Sequence, residues 1–469
     1  MENDYLYGLT VQGIQSYIFS TNKLKEIIGA SEIIEQLCTT WFDEFIKVNE
    51  LKGKKYLNAA GNIRFKSDRE TIQKIFTEYH EFLLKNASGV PFSQAVVKIT
   101  GSDSEAIYCL DKKLNAQRNS PIYAFDLGIM IRSKARRTGD AATFKKDAEG
   151  DFTDINTGLK FTNADSKALE TKTKVENVSY PSEFSEIAKE GKHSWLALVH
   201  IDGNGMGNRI NDIINSEKEN IFEELKTFSE SIGKSTIEAY QCAIKAIIPL
   251  VDENYSKNKP IELPMRPIIL GGDDLTVIIR ADLALKFTEV FLNEFEKNTE
   301  TKLGKDKGLT ACAGIAFVKE KFPFHYSAHL AEELCGFAKD SGNRQASCLQ
   351  FHRVQDSFID TYKEIINREL TTEENTPFVF QNGPYYLDKS IGVSIESLIE
   401  DYKLLQNEDA PKNGMREWID AKFNNPLMTE TLMSRLITKA GDKSKYKDIL
   451  NNTKAFMDYH TLLAINIQI

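Results

Sequence analysis

The chain has 469 residues, 41 % of them apolar, enough for substantial cores and, at ordinary domain sizes, for about three domains. Lys and Arg total 59 against 68 Asp and Glu, and the net charge of −9 excludes a protein whose whole surface tracks nucleic acid, though not a local basic groove. No run of about 18 apolar residues is present, which excludes a membrane-spanning helix, and the acidic opening Met1-Glu2-Asn3-Asp4 lacks the apolar stretch of a signal peptide.

Residues 1–108 read β-α-β-β-α-β. Tyr5–Val11 has strand composition, and Leu24 to Phe45 reads as helix, with Ile27, Ile28, Ile33, Ile34 and Leu37 near a 3.6-residue period. Lys55–Asn58 and Ile63–Phe65 flank the turn Ala59-Ala60-Gly61-Asn62; a helix over Asp68 to Leu84 and a strand over Gln94–Thr100 complete the unit. That order predicts a ferredoxin-like domain. Residues 109–190 differ. Basic residues cluster at Arg132, Lys134, Arg136, Arg137, Lys145 and Lys146, and Gly, Asp, Asn and Thr dominate 138–166. This predicts a linker or small insertion whose basic run is solvated more readily than it meets RNA or an acidic partner.

Residues 191–355 repeat the order: a strand over 195–201, helices within 209–249, a hairpin over 266–280, a helix from Ala281 to Asn298, a strand over Leu309–Phe317 and a closing helix from Tyr326 to Lys339. The chain thus carries two copies of one supersecondary unit. Residues 356–469 read as a helical, polar domain with helices at Val354 to Glu369, Ser394 to Leu405, Gly414 to Lys422, Met428 to Lys439 and Tyr446 to Ile465. The six cysteines (Cys38, Cys109, Cys242, Cys312, Cys335 and Cys348) form no C-x-x-C pair, which fits reduced thiols in a cytosol rather than a zinc ribbon or disulfide framework.

The chemistry concentrates in the second copy. Gly271-Gly272-Asp273-Asp274 lies between two β-type runs, so its glycines allow a tight turn and place adjacent carboxylates at a hairpin tip. Carboxylates that close repel unless a cation stands between them, and Mg²⁺ takes one or two carboxylates with phosphate oxygens. Upstream, the strand ending at Ile201-Asp202 opens into Gly203-Asn204-Gly205-Met206-Gly207 before a helix, where backbone amides can cradle phosphates. A strand-end Asp followed about 70 residues on by a carboxylate hairpin is the layout of a palm-type nucleotidyl site. The first copy has Ala59-Ala60-Gly61-Asn62 where the second has its acids, so it cannot hold a metal in that way. His200 reads as a packed structural histidine, Cys312 as core, and Arg280 and Arg344 as surface residues rather than site.

These segments resemble the large, polymerase-like subunit of type III CRISPR effector complexes. Residues 8–31 look like that family's first-palm opening and Ala59-Ala60-Gly61-Asn62 like its degenerate hairpin. Asp202 with its Gly-rich turn, the 271–274 hairpin and Phe337-Ala338-Lys339-Asp340-Ser341-Gly342-Asn343 look like its second palm. The last segment also resembles the lysine-bearing segment of diguanylate cyclases. The resemblance implies an α+β fold of two ferredoxin-like palms, 1–108 degenerate and 191–355 catalytic, followed by a helical domain. It implies an enzyme that joins nucleoside triphosphates, ATP favoured, into a cyclic or linear signalling nucleotide in antiviral defence, releasing pyrophosphate with two Mg²⁺ or Mn²⁺ ions. Asp202 and Asp273 would hold the metals with the Ile201 carbonyl, and Asp274 would assist as a second ligand or by positioning the attacking hydroxyl. Gly203 to Gly207, Gly271, Gly272 and Lys339 would meet the nucleotide. Asn62, with the Gln12-Gly13-Ile14-Gln15 turn, would hold an acceptor nucleotide on the first palm. Partners would be effector subunits and guide or target RNA, or a further copy of the chain, in the cytoplasm and away from membrane.

Two departures qualify the resemblance. Many members begin with an HD nuclease domain, whereas none of the seven histidines here precedes an Asp, so no HD-type DNase activity is expected. Many carry a cysteine zinc site between the palms, whereas 110–190 holds no cysteine. A compact effector subunit and a stand-alone relative both remain open. So do two other functions: a scaffold binding RNA and protein, and a diguanylate-cyclase-like enzyme using GTP.

Overall fold

The computed structural model describes residues 4–59, 61–120, 131–143, 150–173, 175–189, 191, 194–216, 220–252, 260–305, 307–356, 361–373, 376–440 and 444–469. Ala60, Lys145 and Lys146 lie outside them.

The first unit contains β1 (Tyr5–Val11), α1 (Ile14–Ile18), α2 (Leu24–Cys38), α3 (Thr40–Val48), β2 (Lys54–Ala59), β3 (Asn62–Ser67), α4 (Arg69–Lys74), α5 (His80–Asn86) and β4 (Phe92–Lys98). Its sheet order, β2-β3-β1-β4 and antiparallel throughout, is that of the predicted ferredoxin-like palm. The helix expected over 24–45 is two helices, because Thr39 leaves helical geometry (φ −115°, ψ −94°) and its hydroxyl donates back to the Glu35 carbonyl at 2.6 Å. α2 is buried on nearly every side, as expected of a helix whose apolar positions exceed one stripe. It lies between its own sheet and the second one, and the Ser31 hydroxyl donates to the Ile268 carbonyl there. α6 (Asp103–Gln117), opened by a Ser102–Glu105 capping box, crosses the other face of the first sheet.

In the following region α7 (Ile155–Asn163) presses so closely on α2 that a Cβ at Gly29 would stand 1.6 Å from the Lys160 carbonyl oxygen. α8 (Ala168–Thr173) is capped by Glu32, whose carboxylate accepts from the Ala168 amide at 2.7 Å. The basic cluster is partly paired: Arg136 meets Asp151 at 3.4 Å, and Arg137 meets Glu26 of α2. β5 (Val178–Ser179) and α9 (Phe184–Ile187) lead to the second unit.

That unit contains β6 (Trp195–Gly203), α10 (Met206–Ile214), α11 (Ile221–Val251), β7 (Ile261–Glu262), β8 (Met265–Gly271), β9 (Asp274–Arg280), α12 (Ala281–Leu303), β10 (Ala311–Lys319) and α13 (Phe324–Ser341). Within its six-stranded sheet, β10-β6-β9-β8 repeats the first palm's order. β11 (Cys348–Arg353) then adds in parallel to β10, and β12 (Tyr385–Tyr386) adds at the edge. Sequence reasoning missed β11, because Gln350, His352 and Arg353 are buried polar residues that break the apolar signature of an inner strand.

Strand alternation decides where the site lies. On β6, Ala197, Val199 and Ile201 face the core made with α11 and α12, while Leu196 and Leu198 face the core shared with the first palm. His200 and Asp202 continue that second face. On β10 a Cβ at Gly314 would stand 2.0 Å from the Ala331 carbonyl oxygen, so glycine there lets α13 lie directly on the sheet.

α14 (Tyr362–Ile365), α15 (Ile395–Leu405), α16 (Lys412–Asn424), α17 (Thr429–Ala440), α18 (Lys447–Asn451) and α19 (Phe456–Ile465) complete the chain. Trp418, Phe456 and Tyr459 belong to the same core cluster as Phe351 and Tyr385 of the second sheet. Among the described residues no helix is long and apolar enough to cross a membrane.

Candidate active site

The Gly271–Asp274 hairpin closes with Gly271 paired to Asp274 and Gly272 at φ +62°. A positive φ at the first central residue alone is the pattern of a II′ turn, which suits the twist of antiparallel strands and admits glycine readily. The Gly272 carbonyl accepts from the Thr236 hydroxyl at 2.6 Å, so α11 pins the tip. Asp273 leans toward the end of β6. A Cβ on Gly203 would stand 2.7 Å from the Asp273 Cβ and 2.8 Å from its Oδ2, so only glycine admits the carboxylate here.

Asp202 ends the same strand face. The Lys339 ammonium, buried on α13, donates to Asp202 Oδ2 and, at 3.0 Å, to the Gly203 carbonyl. The Gly203 carbonyl therefore lies with the acids at the strand end. Ile201 sits within the sheet, paired on one side with Leu275 and on the other with Ala313. Asp274 points along the face of His200. Its Oδ1 lies 3.6 Å from His200 Nδ1, whose closer partner is the Thr276 hydroxyl at 3.0 Å. His200 is thus the packed histidine expected, with its pKa lowered by burial, and it also lies under the acids.

Burial, then the neighbouring Asp202 and Asp274, pushes Asp273 up to about 7. Burial and Asp202 push Asp274 up to about 8. Asp274 Oδ1 is buried with no hydrogen-bond partner. Crowded carboxylates with an orphaned oxygen, beside a carbonyl already taken by an ammonium, fit a divalent cation.

The phosphate cradle is narrower than expected. Asn204 is committed to the core: its amide donates to the Thr310 carbonyl at 2.8 Å, and its side chain donates to Thr310 Oγ1 at 2.9 Å, Cys312 Sγ at 3.3 Å and the Ala346 carbonyl at 3.2 Å. Its role is to hold the strand end, a correction to its reading as a nucleotide contact. Gly205, left-handed at φ +72°, then starts α10 without a side-chain cap, leaving the first-turn amides at Met206 and Gly207 for an anion. Arg344 is an exposed partner of Asp340, as expected of a surface residue, whereas Arg280 is largely buried, because it pairs with the buried Asp282 at 2.6 Å. Thr236 and Thr276, which sequence reasoning left unassigned, and Gly203, which it attributed to phosphate binding, stand around the acids as their supports. Nothing in the pattern of α11 marks Thr236.

Between the palms, a cavity of about 240 Å³ is lined by Met206, Gly272 and Asp273 on one side and by Tyr56, Asn62 and Arg64 on the other. Asn62 thus faces the Gly271–Asp274 hairpin. Gln15 does not join it. It lines a separate cleft with Phe19, facing Tyr326, His329 and Glu332 of α13. Gln12 is held on Ser93.

A family model described as the second palm domain of Cas10/Cmr2 matches residues 195–348. Residues 195–348 are thus similar to the second palm of that family. Among solved structures, a Csm1–Csm4 cassette in complex with AMPPNP matches with a TM-score of 0.59 at 13 % identity, covering 99 % of this chain and 70 % of that one. A Csm1–Csm4 subcomplex of the type III-A CRISPR-Csm interference complex matches with a TM-score of 0.58 at 12 % identity, and a Csm1–Csm4 cassette with cA3 at 0.56 and 12 %, each with the same coverages. No curated protein matches the sequence. At such identities these structures speak for the fold, and they extend the Cas10-like architecture from the matched palm to nearly the whole chain.

Proposed function

We propose that this Cas10-like chain is a metal-dependent nucleotidyltransferase that joins nucleoside triphosphates, ATP favoured, into a cyclic or linear signalling oligonucleotide. The observation carrying this is that Asp202, Asp273, Asp274, Lys339 and the uncapped start of α10 all converge where the second palm faces the first. Mg²⁺ or Mn²⁺, held by the three aspartates and the Gly203 carbonyl, would stabilise charge on the attacking and leaving oxygens.

The chain's own groups supply the rest. The α10 amides and the Lys339 ammonium bind the triphosphate of the donor nucleotide and stabilise the departing pyrophosphate. Asn62 positions the acceptor from the first palm, across the cavity from Asp273. The buried floor of Leu198, His200 and Thr276 keeps water from beneath the acids.

The structures similar to this chain include Csm1–Csm4 cassettes in complex with one ATP, with cA3 and with cA4, which supports ATP as substrate and a Csm4-like subunit as partner; guide or target RNA and a cytoplasmic setting belong to the same reading. The experiment is to incubate the chain with each labelled triphosphate and Mg²⁺ or Mn²⁺, alone and with its partner subunits, and to weigh the products. Oligoadenylate with released pyrophosphate is expected. Product from GTP alone would favour the diguanylate-cyclase-like alternative, and none under any condition would leave the scaffold reading.

A further inference from the structure

The end of the second sheet away from Asp202 carries cations that this chemistry does not use. β6 begins at Trp195, β10 ends at Lys319 and β11 ends at Arg353; Trp195 pairs with Lys319, and Arg353 with Phe317. Lys319 Nζ stands 3.9 Å from the centre of a Trp195 ring, and the Arg353 guanidinium carbon stands 5.6 Å from it. Two C-terminal helices close over them. Arg353 Nη2 lies 3.3 Å from Nδ1 of His460 on α19, while Nε and Nη2 of Arg416 on α16 lie 3.1 and 2.9 Å from His460 Nε2.

This arrangement is electrostatically incomplete. A neutral imidazole has one N–H and one acceptor nitrogen, so with a guanidinium at each nitrogen one contact sets donor against donor. Protonation gives no relief, since burial, Arg353 and Arg416 push His460 down to about 4. Arg353 is 9 % exposed, and its Nε is buried with no hydrogen-bond partner. Among the described residues no carboxylate pairs with Arg353 or Arg416, and Arg416 is the charged neighbour that depresses Arg353 after burial itself. Buried cations are retained where a counter-charge answers them.

We propose that this junction binds a phosphate group, gripped by Arg353, Arg416 and the His460 N–H with Lys319 at the rim, and that the ligand ties the C-terminal helices to the second palm. The donors approach from a sheet end and two helices rather than from one planar fork, which suits a tetrahedral anion better than a carboxylate. The cations already cover Trp195, so a base has no open ring to stack on. A free phosphate and the backbone of a polynucleotide would therefore be recognised by the same chemistry.

The test is thermal unfolding of the full chain in sodium phosphate against sodium chloride at equal ionic strength, with a short single-stranded RNA as a second arm. Phosphate, RNA or both should raise Tm with concentration; phosphate alone identifies a free anion, and RNA at far lower concentration identifies a phosphodiester. Arg353→Gln with Arg416→Gln should remove the shift, while Arg344→Gln, at an exposed arginine before the other end of β11, should keep it. Arg416→Gln alone, at an exposed side chain that folding does not need, should weaken apparent affinity about tenfold, and it decides the matter if the double variant does not fold. No shift beyond chloride with either probe, an undiminished shift in the double variant, or parental affinity in Arg416→Gln would each overturn the proposal.

Discussion

Where the second palm has Asp202 the first has Thr10, and where it has Asp274 the first has Asn62, because Leu9 pairs with Ile63 as Ile201 pairs with Leu275. The scaffolds around these positions coincide closely. The Gln12 amide donates to the Pro91 carbonyl as the Asn204 amide does to Thr310, both at 2.8 Å, and each carboxamide reaches the next strand, at Ser93 or at Cys312. Gly13 at φ +55° and Gly205 at φ +72° both start a helix in the left-handed region. The palms part at the side chains. Gly8 stands where His200 stands, and Leu110 and Leu114 of α6 fill the space its side chain would take. Arg64, at the position of Thr276, donates to Thr10 Oγ1 at 3.3 Å, the Leu9 carbonyl at 3.2 Å and Asp111 Oδ1 at 3.1 Å. One palm holds an internal cation where the other holds crowded acids, on strand ends whose backbones agree in this detail.

The comparison breaks first at the acids. Asp273→Asn with Asp274→Asn should abolish product, a loss of at least about 10³-fold if the metals carry the charge stabilisation. The variant should stay folded, as judged by circular dichroism, whereas Asn62→Asp in that background should restore nothing. Normal synthesis by the double variant would sink the metal assignment. Next, Lys339→Met should cost about 10²-fold in turnover, with a raised KM for the triphosphate, measured by steady-state kinetics. Gly203→Ala should follow, with a Cβ forced against Asp273 and a destabilisation of about 1–3 kcal/mol. Its counterpart Val11 bears a side chain without difficulty, so Val11→Ala should cost no turnover.

A pH series sharpens the contrast. Asp273 and Asp274 hold their protons more tightly folded than unfolded, with values of about 7 and about 8. Their ionisation therefore penalises the fold as pH rises from the ordinary carboxylate range through those values. Without divalent ions, the Tm advantage of the double Asn variant over the parent should widen between about pH 5 and pH 8, and Mg²⁺ should narrow it by binding the parent. A constant gap would mean that the acids are not crowded as described. The smallest effect is expected from Asn62→Ala: weaker binding of an acceptor nucleotide, with donor binding intact, read by equilibrium binding of a non-hydrolysable triphosphate.

Both palms were legible in the sequence because their strands alternate and their turns carry glycine at the required places. That the three acids and Lys339 gather at one place was legible because the motifs carrying the resemblance are local. What stayed hidden depends on tertiary pairing. The Gly203 carbonyl lies beside the acids, and Ile201 within the sheet, because the pairing with β9 ends at Ile201. Asn204 looked like part of a cradle until its partners Thr310, Cys312 and Ala346, distant in sequence, were brought beside it. The separation of Gln15 from Asn62 follows from where α13 and the hairpin tip meet the first palm.

The continuity of the core from Phe351 and Tyr385 into Trp418, Phe456 and Tyr459 bears on how the molecule can be dissected. The second palm borrows its outer wall from helices that follow it in the chain. An excised second palm would end with a bare apolar flank and would need a substitute lining before its isolated behaviour meant anything. Shortening the chain from its tail is, in effect, surgery on that palm's foundation.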